Sequence, residues 1–154
     1  MRTELSDQLN LHHLAKGRNA PSYKSNATKR VMVLRERAEQ AALVEWADVT
    51  TVHGILIGEF LTHVPNEGKR GPQARNDFIE LGGSAGYPDL ILDIPTKRYA
   101  GLRIEMKAPE PFDAKVTSSQ MAWHEKLRKM GYRVEVCRGL EEAKRIIIDY
   151  LSEL

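Results

Sequence analysis

From Thr28 onward the chain TKRVMVLRERAEQAALVEWADV sets apolar residues at helical spacing, Val31, Leu34, Ala38 and then Ala41 or Ala42, behind a threonine suited to an N-cap. That spacing predicts a helix. GILIGEFLTHVP, residues 54–65, predicts one or two strands broken at Gly58, and NEGKRGP after it is a loop by its turn chemistry. QARNDFIELGG predicts a short helix closed by glycine, with Ala74, Phe78 and Leu81 facing inward. Residues 86–109, GYPDLILDIPTKRYAGLRIEMKAP, alternate and predict a β-hairpin. TSSQMAWHEKLRKMG predicts a helix with a serine cap, an inner stripe of Met121, Leu127 and Met130, and Gly131 at its end. YRVEVC alternates as a strand, and GLEEAKRIIIDYL predicts a closing helix. This order predicts an α/β fold, a mixed central sheet flanked by helices. Residues 1–28 are polar and turn-rich without sustained periodicity, so they are expected to form an N-terminal arm to a domain over 29–154.

Composition narrows the class only slightly. A chain of 154 residues is long enough to bury one proper core. No apolar run approaches the ~20 residues of a membrane helix, and MRTELSDQLNLHHLAKG lacks the apolar centre of a secretion signal. The one cysteine, Cys137, rules out an intrachain disulfide and fits a reducing compartment, so the cytoplasm is expected. A net charge of +2 permits nucleic-acid binding without arguing for it. Lys69, Arg70 and Arg75 bracket one turn and Lys97, Arg98 and Arg103 surround another. Such clusters are either phosphate contacts or ordinary solvated loops.

The hairpin asks for more. Side chains alternate between faces along a strand, so Leu90, Leu92 and Ile94 share one face and Asp89, Ile91 and Asp93 the other. Leu102, Ile104 and Met106 likewise oppose Arg103, Glu105 and Lys107. The apolar faces must coincide, hence so must the charged ones. A turn centred on Arg98 would set Asp89 opposite Lys107 and Ile91 opposite Glu105. Two readings are open. The charges are solvated on an exposed face, or two carboxylates within about 5–8 Å share a hard cation such as Mg²⁺ beside a lysine. The second arrangement is equipped to attack a phosphodiester.

Pro88-Asp89 followed by Glu105-Met106-Lys107 resembles the PD-(D/E)XK nuclease superfamily, and the chain is more specifically similar to a stand-alone virus-type replication-repair nuclease (VRR-NUC) domain. The match extends, in order, over about residues 30 to 152. Glu36 and Gln40 with EWA at 45–47 fit the family's helical element, and HVPNEGKR at 63–70 fits its loop. GYPDL, Gln120 in SSQMAW and the closing Gly-Tyr-Arg-Val before a helix complete it.

The resemblance implies a restriction-endonuclease-like core and an Mg²⁺- or Mn²⁺-dependent endodeoxyribonuclease. Asp89 and Glu105 would be metal ligands together with the backbone carbonyl of Met106, and Lys107 would position the attacking water. Glu36 would add a further carboxylate, and Gln120 would support the lysine. Glu36 competes for that role with Glu39 and Glu45, and Gln120 is equally placed to bond its own helix terminus. His63, Asn66 and Glu67 either shape their loop or take a direct part in catalysis, the first being preferred. Lys69, Arg70, Arg75, Lys97 and Arg98 are the candidate DNA contacts. The resemblance further suggests a homodimer acting on branched DNA such as four-way junctions, with flaps or plain duplex as other substrates and no membrane partner. A non-cleaving DNA-binding module is the competing class.

Overall fold

The computed structural model describes residues 26–65 and 71–154. The compact unit that carries every described strand runs from Val31 to Leu154. In chain order the elements are α1 (Asn26–Asp48), β1 (Thr51–Val52), β2 (Ile55–Leu56), a 3-10 turn (Ile57–Glu59) and β3 (Leu61–His63). They continue with α2 (Pro72–Glu80), β4 (Leu90–Leu92), β5 (Leu102–Lys107), α3 (Ser118–Lys129), β6 (Arg133–Arg138) and α4 (Leu140–Leu151). Residues 1–25 of the expected N-terminal arm, and Asn66 to Arg70 of the HVPNEGKR loop, lie outside the described residues, while residues 26–28 already belong to α1, so Thr28 is within the helix and not its cap.

A four-stranded sheet in the order β3-β4-β5-β6 carries the fold. Its first two pairings are antiparallel and the last, β5 with β6, is parallel, so the sheet is mixed and helices flank it as anticipated. A separate hairpin of β1 and β2 precedes it, closed by His53 and Gly54, both at positive φ. The expected break at Gly58 falls in the 3-10 turn between β2 and β3.

One face of the sheet is an ordinary apolar core. Leu90, Leu92, Leu102, Ile104 and Met106 pack with Leu43 and Ala47 of α1 and with Ala143, Ile147, Tyr150 and Leu151 of α4. Tyr150 is fully buried, and its hydroxyl donates to the carbonyl of Ile94 at 2.6 Å, which satisfies the polar tip of an otherwise apolar anchor.

The helix stripes differ from the sequence expectation. On α1, Val31 and Leu34 are exposed, and burial begins only near the C-terminal end with Leu43 and Ala47. No residue of α2 is buried, so Ala74, Phe78 and Leu81 are no core stripe; Leu81 lies past the helix end and is 87% exposed. On α3 the buried positions are Gln120, His124 and Leu127, whereas Met121 and Met130 are exposed. The cap of α3 is Thr117 rather than a serine, in a capping box with Gln120.

The hairpin register also differs. Leu90 pairs with Ile104 and Ile91 with Arg103, which sets Asp89 opposite Glu105 instead of Lys107. The cause lies in the turn. The Thr96 hydroxyl accepts from the backbone N–H groups of Arg98 and Tyr99, tightening the chain so that pairing centres on Lys97. A slip of two residues leaves every side chain on the face expected for it.

Cys137 of β6 is fully buried, and burial pushes its thiol up to about 12. Native protein is therefore expected to resist a thiol reagent such as DTNB at pH 8, and to titrate one thiol once unfolded. A raised thiol pKa gives stability that is complete below the unfolded value, about 9, and is lost as pH rises toward about 12. The unfolding free energy measured across that range should fall with pH, by about 1.4 kcal/mol per unit from this group.

Candidate active site

β5 is the only described strand buried along its whole length. On its second face Arg103 is 5% exposed, Glu105 0% and Lys107 6%, and Asp89 beside them is 4% exposed. Asp93, near the turn, is exposed, but the rest of the charged face is no solvated surface. α3 covers Glu105, and its inward face is polar where Gln120 and His124 meet the strand.

Glu105 is the centre of the contacts. Its Oε1 accepts from Nζ of Lys107 at 2.7 Å and also from Nε2 of Gln120. Oε1 of Gln120 in turn accepts from the backbone N–H of Thr117 at 2.8 Å. One end of the amide thus caps α3 and the other anchors the helix to Glu105. Oε2 of Glu105 is buried without a hydrogen-bond partner. It faces Nε2 of His124 at 3.8 Å, and that nitrogen also lacks a partner.

Burial pulls the Lys107 ammonium towards losing its proton. The hydrogen bond to Glu105 and the charges of Glu105, Glu36 and Asp89 outweigh this, and its pKa lies above the ordinary lysine value. Lys107 is thus a fixed cation and hydrogen-bond donor.

Asp89 turns Oδ2 onto the backbone N–H of Met106 at 2.8 Å. Within a strand the N–H and C=O of one residue point to the same side. The carbonyls of Gly101 and Lys107 accept from Arg133 and Gly139 on the β6 side, so Met106, one residue out of phase, directs its carbonyl towards β4 and Asp89. Extending the register by one pair places Pro88 opposite Met106. Proline has no N–H, so no ladder bond from it can take that carbonyl. The Pro-Asp pair therefore ends the ladder where the site begins.

The competing glutamates separate. Glu39 accepts from the backbone N–H of Leu140 at 2.6 Å, capping α4, and pairs with Arg35 at 2.6 Å. Glu45 is exposed. The charge of Glu36 is the one felt at Lys107. From the same helix Nε2 of Gln40 lies 2.9 Å from Nδ1 of His63, which is 3.1 Å from the backbone carbonyl of Asp89. His63 thus stands between α1 and the chain entering β4, bonding Gln40 when Nδ1 is unprotonated or the Asp89 carbonyl when Nδ1 carries the proton.

The candidate DNA contacts are placed differently. Lys97 and Arg98 occupy the turn at the other end of the hairpin from Glu105 and Lys107, and Arg98 pairs with Glu153 at 3.8 Å. Arg75 is exposed on α2, and Lys69 and Arg70 lie outside the described residues. Arg103 is occupied by Tyr87, Asp93 and the ring of Tyr132, 4.2 Å from the guanidinium. Sequence reasoning missed His124. Its signal is the four-residue spacing from Gln120, which puts both on one helix face.

Among the described residues, no three His, Cys, Asp or Glu side chains stand together as a formed metal cluster. The donor chemistry nevertheless fits a hard divalent cation: carboxylates of Asp89 and Glu105, the Met106 carbonyl directed beside them, and a buried, unpartnered Oε2.

The chain belongs to the VRR-NUC domain family, a family of nuclease type, whose model matches residues 34–141. A solved structure named VRR_NUC domain protein is 29% identical, over 77% of this chain and 89% of that one, with a TM-score of 0.67. No curated protein matches the chain.

Gly86 sets the depth at which α3 sits. Its φ is +86°, and a Cβ there would lie 2.7 Å from the Ser119 carbonyl carbon and 2.8 Å from the Gln120 nitrogen. Gly82, at φ +84°, would meet nothing within 4 Å. Gly86→Ala should therefore cost more stability than Gly82→Ala, which bears only the backbone strain of about 1–3 kcal/mol. Urea denaturation of both variants checks this; equal losses would show that α3 yields freely.

Proposed function

We propose that this protein is an Mg²⁺- or Mn²⁺-dependent endodeoxyribonuclease that hydrolyses phosphodiester bonds in branched DNA, such as four-way junctions. The observation that carries the reading is the Glu105 carboxylate, wholly buried yet holding one oxygen unclaimed, with Lys107 on its other oxygen and Asp89 alongside. Burying a carboxylate this way costs several kcal/mol, which a merely structural strand would avoid with an apolar residue. Membership of a nuclease-type family supports the same reading.

Asp89, Glu105 and the Met106 carbonyl would hold the cation, with Glu36 adding a carboxylate from α1. The cation supplies a Lewis acid at the scissile phosphate. Lys107 keeps its proton, and as a donor it orients water and stabilises the charge that develops on the phosphoryl oxygens. Water adds in line to phosphorus, the opposite P–O ester bond breaks, and a proton from the water ends on the leaving sugar oxygen. Gln120 keeps Glu105 aimed. Arg75, Lys69, Arg70, Lys97 and Arg98 remain the proposed contacts to the DNA backbone.

A homodimer suits the proposed substrate, because two symmetric cuts need two active sites related by a two-fold axis. No described helix is long and apolar enough to cross a membrane. The buried free thiol of Cys137 is in keeping with the proposed cytoplasmic location.

The test is cleavage of a labelled four-way junction, a flap and a linear duplex with Mg²⁺ or Mn²⁺, by wild type and Lys107→Ala. Junction cutting should fall by about 10²–10³-fold in the variant, while DNA binding stays near the wild-type level. Binding without cutting of any substrate by wild type would replace the nuclease with a DNA-holding module. Preferential cutting of the flap or duplex would keep the enzyme and change its substrate.

A further inference from the structure

α3 reaches Glu105 with two side chains, not one. Gln120 and His124 are four residues apart on the buried face of the helix, and each is 4% exposed. Gln120 takes Oε1 of Glu105 together with Lys107, which leaves Oε2 to the imidazole. The 3.8 Å between Nε2 of His124 and Oε2 is longer than a hydrogen bond, and neither atom has a hydrogen-bond partner. Two buried polar atoms facing each other without other partners are costly to keep unless they act on one another. A small rotation of either side chain closes the gap.

We propose that His124 is a positioning residue for Glu105. By restraining Oε2 while Lys107 and Gln120 restrain Oε1, it fixes the plane of the carboxylate. A carboxylate oxygen has two lone pairs, so Oε2 can meet His124 on one side and present the other towards Asp89. The inference rests on the reading of Glu105 as a cation ligand, and it adds a partner that orients this ligand from behind. Partners of this kind are worth about 10–100-fold in metal affinity.

The experiment is Mn²⁺ binding to the full chain, followed through the EPR signal of the free ion. Wild type is compared with His124→Leu, which fills the space without a polar atom, and His124→Gln, which restores an amide donor. His124→Leu should weaken binding about 10–100-fold, and His124→Gln should recover most of it. Thermal unfolding without added cation shows that each variant is folded. If the leucine variant folds and binds Mn²⁺ as tightly as wild type, His124 has no positioning role. Equal weakening by leucine and glutamine would assign the effect to packing and also overturn the proposal. Wild type that binds no Mn²⁺ would overturn the cation reading of Glu105 itself, a result distinct from either.

Discussion

The structure turns on one buried contact, the carboxylate of Glu105 against the ammonium of Lys107 and the amide of Gln120. Glu105 is fully out of water. A buried carboxylate stripped of its partners costs about 3–5 kcal/mol, a sizeable share of the 5–15 kcal/mol that holds a domain folded. The rest of the site follows from meeting that cost. Lys107 must sit two residues along the same strand face, and α3 must lie close enough for a first-turn side chain to reach the sheet. Gly86 makes that approach possible by having no side chain between the hairpin and the helix backbone.

The same contact lies on one face of a strand that is buried on both. β5 is buried on both faces, with Leu102, Ile104 and Met106 in the apolar core and Glu105 on the other face beneath α3. Its register against β4 therefore decides both what packs and which charged groups meet. Pairing through Leu90 and Ile104 brings Asp89 level with Glu105, and the ladder stops at Pro88. Past that point Met106 gives its N–H to Asp89, and its carbonyl is directed to the same side. The site is thus the place where a regular strand pair runs out of backbone donors.

How much of this could be read from the sequence depended on which interaction decided each feature. The hairpin faces were legible because alternation survives any even slip of register. The slip itself was not, since the Thr96 side chain rather than the strand pattern places the turn. Asp89, Glu105 and Lys107 were legible as a set, although their burial was not, because nothing in the strand says which helix covers it. The stripe of α3 was misread for a related reason. Hydrophobic periodicity assumes an apolar core, and here the buried face is Gln120 and His124 before Leu127. Glu36 and Glu39 are indistinguishable in a list of helix positions. They separate only through Leu140, whose N–H is bonded to Glu39 from 101 residues away.

Charge gives a last reason for reading this constellation as incomplete without a cation. The charges of Glu105, Glu36 and Asp89 all act on the single ammonium of Lys107 and help to raise its pKa. Arg103 does not redress the balance, being paired with Asp93 and stacked on Tyr132. These four groups alone would repel a phosphodiester, which is itself an anion, and burial makes the repulsion stronger than it would be in water. One divalent cation cancels the excess of two negative charges. On the proposed reading, then, cation binding and productive DNA binding at the scissile phosphate are coupled with positive sign, each strengthening the other.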